Sequence, residues 1–125
     1  MAKQDFEKIL FEAVDEALFS LGESSRQAIY FHLEKNFGIK KQEIASKTEV
    51  FKDAIEEIFG EGANFLEILI MKHLYKRIGG SFELQETADF AFLEYVNTAR
   101  RIFCDKKTVK SILDENFEEK LFEKR

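Results

Sequence analysis

The chain contains no proline. Proline breaks helix interiors, because it has no N–H to donate and its ring clashes with the preceding turn. A chain of 125 residues without one carries no such interruption. Cysteine occurs once, at Cys104, so no intramolecular disulfide can form and the fold must be held by its core. Long apolar runs are missing as well, since a membrane-spanning helix needs about 18 uncharged residues. The longest candidate, Phe65 to Tyr75, is broken by Glu67, Lys72 and His73. Behind Met1-Ala2-Lys3-Gln4-Asp5 there is no apolar stretch of signal-peptide length. These absences lead to the expectation of a cytoplasmic protein with no membrane association. Basic charge is in deficit, the net charge being −5. The average field therefore repels a polyanion, although a local basic patch could still hold one.

What the chain does have is phenylalanine, fourteen of them, in a composition that is 45% hydrophobic and 34% charged. That balance is globular; disorder needs fewer apolar groups and a larger charge imbalance. The length fits a single domain, residues 1–125. A chain of this size buries about two thirds of its unfolded surface and can fold unaided. The charged residues are mainly Glu and Lys, a bias of hyperthermophile proteins that exposed helices share in any organism.

Periodicity predicts an all-α fold: a single compact bundle of five to six helices around a buried central helix, about residues 63–78. Asp5 is placed to cap a first helix from Phe6 to Leu21, with Phe6, Ile9, Leu10, Ala13, Val14, Ala17 and Leu18 at helical spacing. Gly22 would supply its left-handed stop. Ser24 and Gln27 read as a capping box for a second helix through Ile29, Tyr30, Leu33 and Phe37, stopped by Gly38. The segment Lys40 to Ala45 can add one short turn. Ser46 and Glu49 read as another box for a third helix carrying Val50, Phe51, Ala54, Ile55, Ile58 and Phe59, interrupted by Gly60 and Gly62. In the fourth, apolar residues surround nearly the whole axis, the pattern of a helix buried on all sides; Gly79-Gly80 ends it. A fifth helix is expected over about 86–104, and a sixth behind Thr108.

Catalytic and metal chemistry find little support. A di-iron bundle needs Glu-x-x-His, but Ile29 and Ile70 stand three residues before His32 and His73. Structural zinc takes four Cys or His ligands, and this chain has three such residues. Both histidines read as hydrogen-bonded rim or core residues. Arg100 and Arg101 precede Cys104 by one turn and could depress its pKa, but no base and orienting partner accompany it. The glycine pairs at 60/62 and 79/80 lack the strand-loop-helix setting and the Lys-Ser/Thr of a phosphate loop. The expectation is a protein that is not an enzyme, with no catalytic residues, no metal and no cofactor.

For nucleic acid there are two candidate segments. Lys40 to Phe59 scans as helix-turn-helix, but its second helix carries Glu49, Asp53, Glu56 and Glu57 against Lys52, and phosphates would repel it. The other candidate is Arg100, Arg101, Lys106, Lys107 and Lys110. Basic residues near a helix C-terminus also complement its dipole, which is reason enough for the two arginines. Nucleic-acid binding through this patch is kept as an alternative and disfavoured as the main role.

The fifth helix carries a second apolar set. With Ala88 at zero, Phe90, Leu93, Asn97 and Cys104 fall at about 200°, 140°, 180° and 160°, whereas the main stripe centres near about 10°. Phe19 and Phe31 lie off the main stripes of their own helices. Wide apolar coverage is expected where a helix touches two neighbours, but the excess recurs on several helices. Contiguous apolar surface marks association sites. Phe90, Leu93, Phe31 and Phe19 are therefore the candidate interface residues of a homodimer or of a complex with a partner protein.

Two stretches, Ala28 to Ile39 (AIYFHLEKNFGI) and Ile58 to Tyr75 (IFGEGANFLEILIMKHLY), together resemble a group of short archaeal all-helical proteins of uncharacterised function. The likeness covers roughly residues 10 to 80. It implies an archaeal, intracellular, helical protein and carries over no catalytic or binding residues. Three readings follow from the residues: a non-enzymatic interaction module, a nucleic-acid-associated regulator using residues 100–110, and a small-molecule sensor. The sensor would have a pocket walled by Phe65, Met71, Phe92 and Tyr95, with His73 as a polar handle.

Overall fold

The computed structural model describes residues 2–80 and 91–105. Helix α1 spans Ala2–Phe19 and α2 Glu23–Phe37. A 3-10 turn at Lys41–Glu43 precedes α3, Thr48–Phe59. A second 3-10 turn, Gly60–Gly62, leads into α4, Ala63–Arg77. Residues 92–105 are also helical and run to the limit of what is described. The fold is thus all-helical, but four helices are delimited where the periodicity anticipates five to six. The expected fifth helix does not begin near residue 86 in one piece, because residue 91 is not helical. The expected helix behind Thr108 lies outside the described residues.

The four helices form a closed ring of neighbours. The contact of α1 with α4 is the widest, and α1·α2, α2·α3 and α3·α4 complete the circuit. Their apolar stripes meet in one core. Phe6, Leu10, Val14 and Leu18 come from α1, Ile29 and Leu33 from α2, Phe51 and Ile55 from α3, and Leu66, Ile70, Met71 and Leu74 from α4. Each such side chain taken from water contributes about 1.5–3 kcal/mol before entropy is counted. The segment 92–105 joins this core through Phe92, Val96 and Ala99. Phe92 packs on Phe51 (6.5 Å between ring centroids) and Phe103 on Phe6 (5.8 Å), while the Tyr75 hydroxyl donates to the Tyr95 carbonyl at 2.9 Å. It therefore crosses the end of the ring where α1 and α3 begin and α4 finishes. Among the described residues no helix is long and apolar enough to cross a membrane.

Helix α4 is the best-packed element but is not buried on all sides. A helix in a ring keeps an outward face whatever its composition, and here that face holds Asn64, Phe65 and Lys72. Phe65 is 81% exposed.

The helix ends also differ from expectation. Asp5 does not precede the first helix, since α1 begins at Ala2 and Asp5 sits in its first turn. Gly22 is not a left-handed stop; it is the residue before α2, and α1 closes earlier through tight turns from Leu21 to Leu18 and from Gly22 to Phe19. No Ser24 cap forms, and the first turn of α2 is tied instead by the Glu23 carboxylate, which accepts from Arg26 at 2.7 Å and Gln27 at 2.9 Å. The Ser46 hydroxyl donates backwards to the Glu43 carbonyl at 3.1 Å, and α3 starts two residues later at Thr48. Glu43 does reach back to accept from the Lys40 amide at 2.9 Å, so a carboxylate closes the 3-10 turn rather than α3. Gly38 is as expected: its φ of 65° lets the Gly38 and Ile39 amides close on the Glu34 and Leu33 carbonyls, a left-handed cap that glycine adopts without steric cost.

Candidate interaction surface and its polar neighbours

The relative direction of α1 and α4 decides which exposed residues share an end. Glu12 pairs with Arg77 at 2.7 Å, and Glu16 pairs with both Arg77 and His73. Higher numbers on α1 thus meet lower numbers on α4, so the two run antiparallel. The first turn of α4 then lies at the level of the α1–α2 turn. That end carries three exposed apolar side chains: Phe19, Leu21 and Phe65. The opposite end is the one crossed by 92–105.

Phe19 is 56% exposed, with the Arg26 guanidinium 5.2 Å from its ring centre. Phe31, 65% exposed on the outer side of α2, has the Lys35 ammonium at 5.5 Å. A cation over a ring face shields one side and leaves the remainder presented to solvent. Beside Phe31, an open groove of about 930 Å³ runs between α2 and α3. It is lined by Ala28, Ile29, His32, Asn36, Phe37, Glu57 and Ile58. The Asn36 amide lies 2.7 Å from His32 Nδ1, and the His32 ring meets Phe37 edge-on at 5.9 Å. An apolar floor with a polar rim of this kind suits an apolar side chain presented by another molecule.

A polar network fixes α2, and hence Phe31, against α1. Arg26 Nη1 donates to both oxygens of Asp15 at 3.1 and 3.0 Å, and the Tyr30 hydroxyl donates to Asp15 Oδ1 at 2.7 Å. The Tyr30 ring stacks on Phe11 at 6.2 Å, with the Lys41 ammonium over it at 4.8 Å. Burial, and then the bond to the Asp15 carboxylate, push the phenol far above its ordinary pKa. It stays a donor at any physiological pH. Tyr30→Phe is expected to cost about 1–1.5 kcal/mol in urea unfolding, because it removes one donor and leaves the stacking in place.

The histidine on α4 is a rim residue. His73 is partly exposed, and burial together with the Lys76 ammonium holds its pKa below the ordinary value. The neutral ring uses its Nδ1–H to donate to Glu16 at 2.9 Å, while Arg77 neutralises the charge of that carboxylate. Its expected role as a pocket's polar handle is not met. Phe65 points outward and Met71 is fully buried in the core, so the four proposed wall residues do not surround one space. Among the described residues, no group of three or more His, Cys, Asp or Glu side chains is placed to hold a metal.

Leu93 does not face away from the core. It is half-buried and packed against it. On the same angular scale, the buried Phe92, Val96 and Ala99 fall at about 40°, 80° and 20°, so the buried arc is rotated towards Leu93 and takes it in at the shoulder. Phe90 lies outside the described residues, as do Lys106, Lys107 and Lys110. Of the basic patch, Arg100 is half-buried, with its guanidinium 5.2 Å from the Phe6 ring and a 3.0 Å bond to Asn97. Arg101 is exposed and reaches Thr98 at 3.3 Å.

Comparison of the chain with protein-family models, with curated proteins and with solved structures finds no match.

The exposure of Phe65 and the burial of Glu67 were not anticipated from the sequence. Phe65 had a usable signal, because a helix apolar around its whole circumference must present part of that surface outward in a ring of four. Glu67 had one too, as the acidic residue within an apolar run. It is 4% exposed and faces α3. Its Oε2 finds no hydrogen-bond partner, and its neighbours there are Glu56 and Lys52. The groove left no mark in the sequence, since it depends on how far apart α2 and α3 sit.

Proposed function

We propose that this protein is a non-enzymatic helical module that acts by association, first with a second copy of itself and otherwise with a partner protein. The observation that carries this reading is the outward placement of three phenylalanine rings, Phe19, Phe31 and Phe65, at 56, 65 and 81% exposure. The same molecule buries Phe6, Phe51 and Phe92 completely. Aromatic side chains anchor interfaces because each can bury about 150–250 Å² with few rotors to freeze. The polar rim is supplied by Arg26, Lys35 and Glu34, which flank the exposed rings of α1 and α2.

Multi-angle light scattering on the purified chain tests this. A dimer is expected, and Phe65→Glu or Phe31→Glu should convert it to monomer while changing stability by less than about 0.5 kcal/mol, as surface substitutions do. A chain that stays monomeric at high concentration, or a dimer indifferent to both substitutions, overturns the homodimer.

A further inference from the structure

Glu67 is the one buried charged residue in the core of the described chain. It projects from α4 towards α3, and both charged groups that act on it come from α3. One is Glu56, within hydrogen-bonding range. The other is Lys52, whose ammonium is already held by Glu56 at 3.0 Å and lies 4.0 Å from Asp53. Two carboxylates facing each other are both acceptors. With neither protonated, the pair has repulsion and an orphaned oxygen; with one proton between them, the same geometry becomes a hydrogen bond. The Glu67 carboxyl that would take part is buried and has an oxygen, Oε2, without a hydrogen-bond partner.

We propose that Glu56 and Glu67 share one proton that latches α3 to α4, and that release of this proton to solvent as pH rises loosens α3 about the Gly60–Gly62 turn. That turn is suited to the movement. It is a single 3-10 turn with a glycine at each end, and Gly60 has a φ of 59°, a region glycine enters without steric cost. Burial first, then the Glu56 charge, raise the Glu67 pKa to about 7, with Lys52 pulling in the other direction. The folded chain thus holds a proton that the unfolded chain has already lost at mildly acid pH. Stability from the latch is complete in acid and disappears as pH climbs to neutrality.

The test is urea unfolding of the whole chain and of Glu67→Gln over a pH series, with amide hydrogen exchange of α3. Between about pH 5 and about pH 8 the folded-to-unfolded ratio of the wild type should fall roughly a hundredfold relative to Glu67→Gln. The amide variant keeps its donor to Glu56 at every pH. Glu23 and Glu43, whose pKa values are lowered by Arg26 and by Lys47, act in the opposite direction in both proteins and cancel in the ratio. Exchange in α3 should accelerate with pH more than exchange in α1, after correction for the intrinsic rate. The wild type itself should show the infrared carbonyl band of a protonated carboxyl in mild acid, fading near neutrality; this needs no variant to fold. Parallel stability curves for the two proteins, or no such band in the wild type, would overturn the latch.

Discussion

Phe6→Ala is expected to remove about 3–5 kcal/mol of stability, a large share of the roughly 5–15 kcal/mol that holds a domain together. The Phe6 ring is fully buried. It packs against Phe103 at 5.8 Å and lies under the Arg100 guanidinium at 5.2 Å. Truncation thus opens a cavity and strips a cation from its aromatic partner in one step. It also cuts the link between α1 and residues 92–105, so amide exchange in that segment should rise more than in α3. Urea unfolding followed by circular dichroism gives the magnitude. Phe65→Ala in the same assay should cost less than about 0.5 kcal/mol. A similar cost at both positions would contradict the burial pattern.

The second large effect has the opposite sign. Glu67→Leu should stabilise the protein at pH 8 by about 3 kcal/mol. The Glu67 carboxyl sits near 7 in the fold against an ordinary 4.5, a gap of about 2.5 pH units, each worth 1.36 kcal/mol. A group raised in this way favours the fold fully below its unfolded pKa and has lost that contribution by its folded pKa. At pH 8 the native chain therefore holds an ionised carboxylate in a buried site, and leucine relieves that cost. Below about pH 4.5 the acid is neutral in both states, and the variant should differ by no more than about 1 kcal/mol, the net worth of a hydrogen bond. Thermal or urea melts across the range check both size and sign. A variant weaker than the wild type at alkaline pH would mean that the carboxylate makes favourable contacts there.

The apolar spacing of Phe6, Leu10, Val14 and Leu18, and of Phe51 and Ile55, was enough to place α1 and α3 and the faces they bury, because helical periodicity is a local property. Where each helix stops was less legible. Ser24 and Ser46 have the side chains of caps, but a hydroxyl can satisfy a preceding carbonyl as readily as a following amide, and Ser46 does the former. Which of these caps the chain uses depends on how tightly the connecting turn is wound. The candidate surface was half readable. Phe19 and Phe31 stand off their helices' stripes and are exposed. Leu93 looked equivalent, but the 92–105 segment is rotated by its contacts with Phe51 and Phe6. Rotation of that kind is set by partners distant in the chain, and periodicity within one helix contains no information about it. Glu67 was legible as an oddity but not as half of a pair, since Glu56 belongs to a different helix.

Because α1 finds its broadest partner in α4, the ion pair between Glu12 and Arg77 closes a loop of 65 residues. Ribosomes add about 5–20 residues each second, so the greasy side of the first helix would wait roughly 3 to 13 seconds for its cover during synthesis. Throughout that interval α2 is the neighbour at hand to cover part of that side.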